Sequence, residues 1–335
     1  MPQSPLPHLV GFGPLGVRVF FVISGMLITR LLLEERQHTG GVSLKEFYAR
    51  RTLRILPAMW VYVAVIAALA LTGIIAVPRR DFVHALTYTT NYISAERSWY
   101  LGHIWSLSVE EQFYILWPLA LSWRGPRAAK HLALGAIAIA PLLRGIALLT
   151  IPGADTGNTE WFPTACDALA IGCLLALLPD AARRRLTFRW ITSRWFFVVP
   201  VLVASLNVLI RGSHNRVLAL VLGSLGVTAM NAGIALIVER VVSFPDDGFG
   251  RILNSGPVVW LGRISYSLYL WQMPFLNHQD SSWITRLPVN LIGAMALACL
   301  SYYAIETPIG SIRKRFQWNR AQEQSVAEEA LVREV

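Results

Sequence analysis

The sequence predicts an all-α fold, a polytopic transmembrane helical bundle of about nine spans. Three observations carry that reading. Hydrophobic residues make up 54% of the chain and charged residues only 15%, with a mean hydropathy of +0.48. A soluble domain is about 45–50% apolar and about 25% charged. The apolar residues are gathered into runs close to the ~20 residues that cross a hydrocarbon core. The basic residues fall mainly on alternate connectors, the pattern of cytoplasmic loops.

The spans follow in order at 14–33, 54–77, 104–123, 131–151, 164–179, 194–210, 217–239, 257–277 and 286–305. The stretch 82–94 is too short and polar to cross, and reads as a surface helix. Between spans, Pro-Gly-Ala-Asp at 152–155 and Pro-Asp-Asp-Gly at 245–248 supply turn residues. No internal repeat is evident. The chain thus divides into a transmembrane domain over 1–311 and a polar, charge-rich tail over 312–335.

Placing the 34–53 loop in the cytoplasm and alternating sides puts 21 Lys and Arg on the cytoplasmic side and 6 on the other, with Arg18, Arg144 and Arg263 inside spans. That asymmetry sets the orientation, with the C-terminus cytoplasmic. It also leaves Met1 outside with no helix before it, so a further N-terminal helix is expected upstream. The first ten residues have neither the basic region nor the cleavage site of a signal peptide.

The formal charge of +10 could suggest nucleic-acid binding, but the basic residues separate apolar runs and form no aromatic-interleaved patch. Cys166, Cys173 and Cys299 lie in apolar stretches without ligand spacing, so they read as core residues, and no metal site is expected. No Gly-x-Ser-x-Gly elbow surrounds a serine, which argues against a covalent acyl-serine.

Five motifs occur in a fixed order: GVRVFFVISGMLITRLLL (16–33), FYARRTLRILPA (47–58), HIWSLSVEEQFYILWP (103–118), LGRISYSLYLWQMP (261–274) and SYYAIETP (301–308). Together they resemble the membrane-bound acyltransferase-3 family, over about residues 10–312. The resemblance implies a ten-helix protein of the bacterial inner membrane. Such a protein moves an acyl group, commonly acetyl, from cytoplasmic acyl-CoA to a hydroxyl of a glycan or lipid-linked sugar. It holds no permanent cofactor, and acyl-CoA (acetyl-CoA) is its donor substrate. It further implies a catalytic His on the first helix, which is the helix missing here. His8 reads as part of the loop after that helix and is the remaining candidate for the base. The chain departs from the family pattern at Arg18, where an acid is common, and at Gln272, where a His is common.

O-acyl transfer needs a base for the acceptor proton, groups that steady the oxyanion and an anchor for the CoA phosphates. On a helix, His103, Leu107, Glu110, Tyr114 and Trp117 share one face, with Ser106 beside the stripe, and Trp105, on the same helix close to His103, is also placed near the cavity. Acids at membrane depth face a cavity or a partner. Glu110 is therefore read as lining the reaction cavity, against the alternative of a structural pair with a neighbouring Arg. Glu111 points about a quarter-turn away.

Arg50, Arg51 and Arg54 open a helix at the cytoplasmic surface. Arg50 and Arg54, at i and i+4, can converge on one phosphate; the alternative is the ordinary basic excess of inner loops. Arg144 and Asp167, at similar depths in consecutive spans, read as a structural pair. Ser24 and Gly25 read as permitting close helix approach. Ser265 and Tyr266, with Ser267 and Tyr269, read as a polar stripe lining the cavity, and Glu306 as a contact of basic loops or of the CoA entrance. The competing class is a non-catalytic carrier or binding protein of the same fold. In either case the partners are acyl-CoA, a glycan acceptor and membrane lipid, not nucleic acid.

Overall fold

The computed structural model describes residues 13–93, 97–151, 160–193, 195–212, 215–277 and 282–311, and these are all-α. His8, the 152–155 connector and the 312–335 tail lie outside the described residues. The chain divides into two compact units, one of residues 1–42, 87–97 and 104–255 and the other of 43–86, 98–103 and 256–335.

The first unit opens with α1 (Gly13–Thr39). Its longest element is α5 (Ile104–Thr150), in 47 residues. A straight helix of that length would run about 70 Å, more than twice a hydrocarbon core. It does not run straight. Gly125 takes φ 73° and ψ 176°, a conformation open to glycine, and Pro126 behind it favours the extended ψ. Two helical stretches therefore meet there, and the Gly-Pro dipeptide is the cause.

Then follow α6 (Phe162–Leu177), α7 (Asp180–Ile191), α8 (Val198–Gly212) and α9 (Arg216–Val221). A π-helical turn, Leu222–Gly226, joins α9 to α10 (Val227–Ser243), and α11 (Gly248–Leu253) closes the unit. Within this unit α1 and α6 approach closely. A Cβ on Gly25 would meet the Leu169 carbonyl, and one on Gly172 would meet the Val22 carbonyl and the Met26 amide. Two glycines facing each other's backbone are the small-residue packing of membrane helices.

The second unit contains α2 (Leu44–Leu71), α3 (Arg79–Leu86), α4 (Trp99–Gly102), α12 (Gly256–Trp271) and α13 (Val289–Ser301). Ser43 caps α2 by accepting from the Glu46 amide at 3.4 Å. α13 continues through a second π-helical turn, Tyr302–Glu306.

Among the described residues, five stretches are long and apolar enough to cross a membrane: Gly13–Thr39, Leu44–Leu71, Trp99–Thr150, Arg216–Ser243 and Val289–Ser311. Phe162–Leu177 and Val198–Ile210 are shorter apolar helices. The polarity is inverted relative to a water-soluble protein. Leu71, Trp123, Leu142 and Leu149 are exposed, while Glu110, Arg144, Asp167, Asn231 and Glu239 are buried. An apolar exterior over a partly polar interior suits lipid.

Three expectations need correction. The 34–53 loop is mostly helix, because α1 runs to Thr39 and α2 begins at Leu44; polar residues mark the end of hydrocarbon, not of the helix. The Arg50, Arg51 and Arg54 cluster accordingly lies within α2 and does not open it. The arginines at 183–185 and 189 lie between two apolar helices, on the helix α7. The expected 257–277 span contains a helix of only 16 residues, Gly256–Trp271, and turns follow it towards Pro274.

Candidate functional site

Glu110 lies two turns into α5 and is 1% exposed. Ser24 Oγ, on α1, donates to its Oε1 at 2.5 Å. Tyr114, one turn further along α5, donates its hydroxyl to the same oxygen and lies 3.3 Å from Ser24 Oγ. One turn beyond, Trp117 Nε1 donates to Thr29 Oγ1 at 2.9 Å, and Thr29 donates to the Gly25 carbonyl at 2.7 Å. The α5 stripe is thus stitched to α1 at two levels. Two hydroxyls on one oxygen fix the carboxylate's direction and spread its charge. Ser24, read from sequence as a packing residue, is a donor in this group. Its Ile-Ser-Gly setting shows the close approach but not the acid that the hydroxyl meets.

Of the neighbouring residues, Ser106 is buried and Trp105 stands edge-on to Phe21 at 6.2 Å. Glu111 takes another azimuth, towards Tyr88. Burial, followed by the Glu111 charge, pushes the Tyr88 hydroxyl above its ordinary pKa. Gln112 anchors that segment, donating to the Tyr88 carbonyl at 2.8 Å and to Asn91 Oδ1 at 3.0 Å.

Arg144 and Asp167 form a second buried group in the same unit. Arg144 Nη2 lies 2.9 Å from Asp167 Oδ2 and also donates to Thr228 Oγ1 at 2.5 Å and the Ser224 carbonyl at 3.0 Å. Nη1 donates to the Thr164 carbonyl at 2.5 Å. Thr228 in turn donates to Asp167 Oδ2 at 2.6 Å. Ser224 belongs to the π-helical turn Leu222–Gly226, where the wider winding leaves a main-chain carbonyl for the guanidinium.

A third group escaped the sequence reading. Glu239, buried on α10, lies 3.0 Å from Arg183 of α7 and 3.9 Å from Arg30 of α1. The signal available was the single acid of the 217–239 run.

In the second unit, Arg50 Nη1 pairs with Glu46 at 3.3 Å, one turn earlier on α2. Arg51 is half-buried and Arg54 exposed. Arg54 is an electrostatic partner of Glu306, which also accepts a hydrogen bond from Ser267. Tyr266 donates to the Ile55 carbonyl at 2.8 Å, so α12 is tied to the arginine-bearing helix. Ser265 is exposed and donates to its own helix at the Gly262 carbonyl, 2.8 Å away. His103, expected on one helix face with Glu110, is instead the C-cap residue of α4, ahead of the first residue of α5. Its ring packs on Tyr62 at 5.5 Å and on Tyr269 at 5.2 Å.

A family model described as an acyltransferase domain matches residues 2–305. An O-acetyltransferase OatA of Staphylococcus aureus is 29% identical, over 89% of this chain and 52% of its own. The peptidoglycan O-acetyltransferase OatA of Listeria monocytogenes is 28% identical, over 89% and 51%. A putative O-acetyltransferase of Staphylococcus aureus is 30% identical, over 88% and 52%. The chain spans about half the length of these curated relatives. No solved structure matches it.

Proposed function

The chain belongs to the acyltransferase 3 family, and on that footing we propose that it is an integral-membrane O-acyltransferase. It takes an acyl group, acetyl in the first instance, from acyl-CoA and passes it to a hydroxyl of a glycan. The Listeria relative is a peptidoglycan O-acetyltransferase, which makes a cell-wall sugar the first acceptor to test. The protein crosses the bacterial inner membrane nine times within residues 1–311, with the 312–335 tail in the cytoplasm. The break at Gly125 supports counting Trp99–Thr150 as two of those spans.

The observation that carries the reading is the buried Glu110 carboxylate with Ser24 and Tyr114 on one oxygen. An acid held in one direction at membrane depth suits a reaction cavity. There it orients the acceptor hydroxyl, or a base such as His8, for attack on the thioester carbonyl. The hydroxyl oxygen bonds to the carbonyl carbon and its proton passes to the base. The carbon–sulfur bond then breaks, and CoA leaves as the thiol once the proton reaches sulfur. Arg50, Arg51 and Arg54 hold the CoA phosphates, guanidinium groups being suited to phosphate forks. The Arg144–Asp167 group holds α5, α6 and α10 together and takes no chemical part.

Membranes containing the full chain, supplied with acetyl-CoA and muropeptides, should release CoA in step with ester formation. Release of CoA at the rate of empty membranes would instead make the protein a non-catalytic member of its family.

A further inference from the structure

The second unit contains an aromatic cluster in which two buried members have no hydrogen-bond partner. His103 is 8% exposed and Trp271 is 7% exposed. Neither His103 Nδ1 nor Nε2 is partnered, and neither is Trp271 Nε1. Both rings stand edge-on to the same phenol, with the Tyr62 centroid 5.5 Å from His103 and 5.2 Å from Trp271. Tyr269 adds a further ring 5.2 Å from His103.

The polar groups around them are engaged. Tyr62 donates to the Tyr100 carbonyl at 2.6 Å, and Tyr269 donates to the His103 carbonyl at 2.5 Å. Trp99 Nε1 donates to the Met273 carbonyl at 2.8 Å. Buried polar atoms without partners are uncommon and costly. Here three of them gather on two side chains around one ring.

We propose that His103 and Trp271 form the recognition site for hydroxyls of the acceptor's sugar ring. This rests on the reading of the acceptor as a glycan. A neutral imidazole offers one donor and one acceptor, and an indole offers a second donor. Neighbouring sugar hydroxyls both give and take hydrogen bonds, so three such atoms match a neutral polyol. The partly exposed ring of Tyr269 and that of Trp271 supply apolar surface for the C–H face of a pyranose, with the fully buried Tyr62 behind them. Aromatic walls with a few convergent polar groups are the usual make-up of a small-molecule site. Both residues stand at element ends, His103 capping α4 and Trp271 closing α12. Their side chains therefore sit where the backbone leaves the regular helix.

The test uses the full chain in detergent with acetyl-CoA as donor and muropeptides or chito-oligosaccharides as acceptors. Trp271→Phe deletes the N–H but keeps a ring, His103→Phe deletes both nitrogens, and His103→Gln keeps a donor and an acceptor. Trp271→Phe and His103→Phe should raise the acceptor KM tenfold or more while the acetyl-CoA KM stays within twofold. His103→Gln should recover most of the loss. The Tm should hold or rise in both Phe variants, since each deletes a buried group that has no partner in the protein. If His103→Phe fails to fold, Trp271→Phe decides alone. An unchanged acceptor KM, or an equal rise in both KM values, overturns the inference and leaves the glycan reading standing. A wild-type chain that acylates none of these sugars overturns both.

Discussion

Ser24 and Glu110 lie 86 residues apart in the chain and 2.5 Å apart at their oxygens. The contact joins α1 to α5 through the one acid of the 103–118 motif that is fully buried. It places a fixed carboxylate oxygen in the interior of the first unit, with Tyr114 as its second donor.

Glu110→Gln retains a carbonyl oxygen that can accept from Ser24 and Tyr114, so the fold should lose only about 1 kcal/mol. Acyl transfer should fall about 100-fold or more, the scale of a lost proton-handling or orienting group. Thermal unfolding beside ester formation separates the two effects, and near-normal transfer would remove Glu110 from the mechanism.

Tyr114→Phe should act in the opposite sense. It leaves the buried carboxylate with one donor fewer, which costs about 1–3 kcal/mol. Part of the transfer rate should survive because the acid itself remains, as a melting curve and initial rates would record.

Arg144→Met strands Asp167 in a dry setting, where breaking a buried pair costs about 3–5 kcal/mol. The double variant Arg144→Met with Asp167→Leu should recover much of that loss. If the double variant is no more stable than the single one, the hydrogen bonds to Thr164, Ser224 and Thr228 matter more than the ion pair.

Arg54 and Glu306 predict an opposed pair of kinetic effects. Arg54→Ala should raise the KM for acetyl-CoA about tenfold, as expected for a lost hydrogen bond to a charged group. Glu306→Gln frees Arg54 from a competing carboxylate and should lower that KM. Movement of both values in the same direction would count against phosphate binding at Arg54.

The corner between α10 and α11 should respond to acid. Asp247 accepts from the Gly250 amide at 2.7 Å and pairs with Arg240 at 2.7 Å. The amide bond first, and then the guanidinium, hold its carboxyl below the ordinary value of 3.8. A depressed folded-state pKa stabilises the fold above the unfolded value and is lost as pH falls through the folded one. Protection of the Gly250 amide from hydrogen exchange should therefore stay level at neutral pH and drop only below about pH 4. In Asp247→Asn the cap persists and this acid step should vanish.

Much of the framework was legible because membrane helices announce themselves by apolar length. The Leu107, Glu110, Tyr114 and Trp117 face follows from spacing alone, and lone charges at matching depth in consecutive runs point Arg144 towards Asp167. What the sequence could not display was the identity of facing atoms. The Ser24 hydroxyl is indistinguishable from any small packing residue until α1 is laid on α5. The π-helical turns leave no compositional trace, yet one of them frees the Ser224 carbonyl for Arg144. α7 was missed because its arginines look like loop residues when only polarity is counted.

The crossing of α1 and α6 at Gly25 and Gly172 has a thermal consequence. Side chains that interdigitate at an interface carry rotamer freedom that grows with temperature, whereas glycine has none. Two backbones meeting through glycines therefore form a joint whose conformational entropy changes little on warming. Ser24 is the residue next to that joint, so its hydroxyl is held in the frame of α6 as well as that of α1. The direction of the Glu110 carboxylate should then be among the last features of the first unit to blur as the protein is heated.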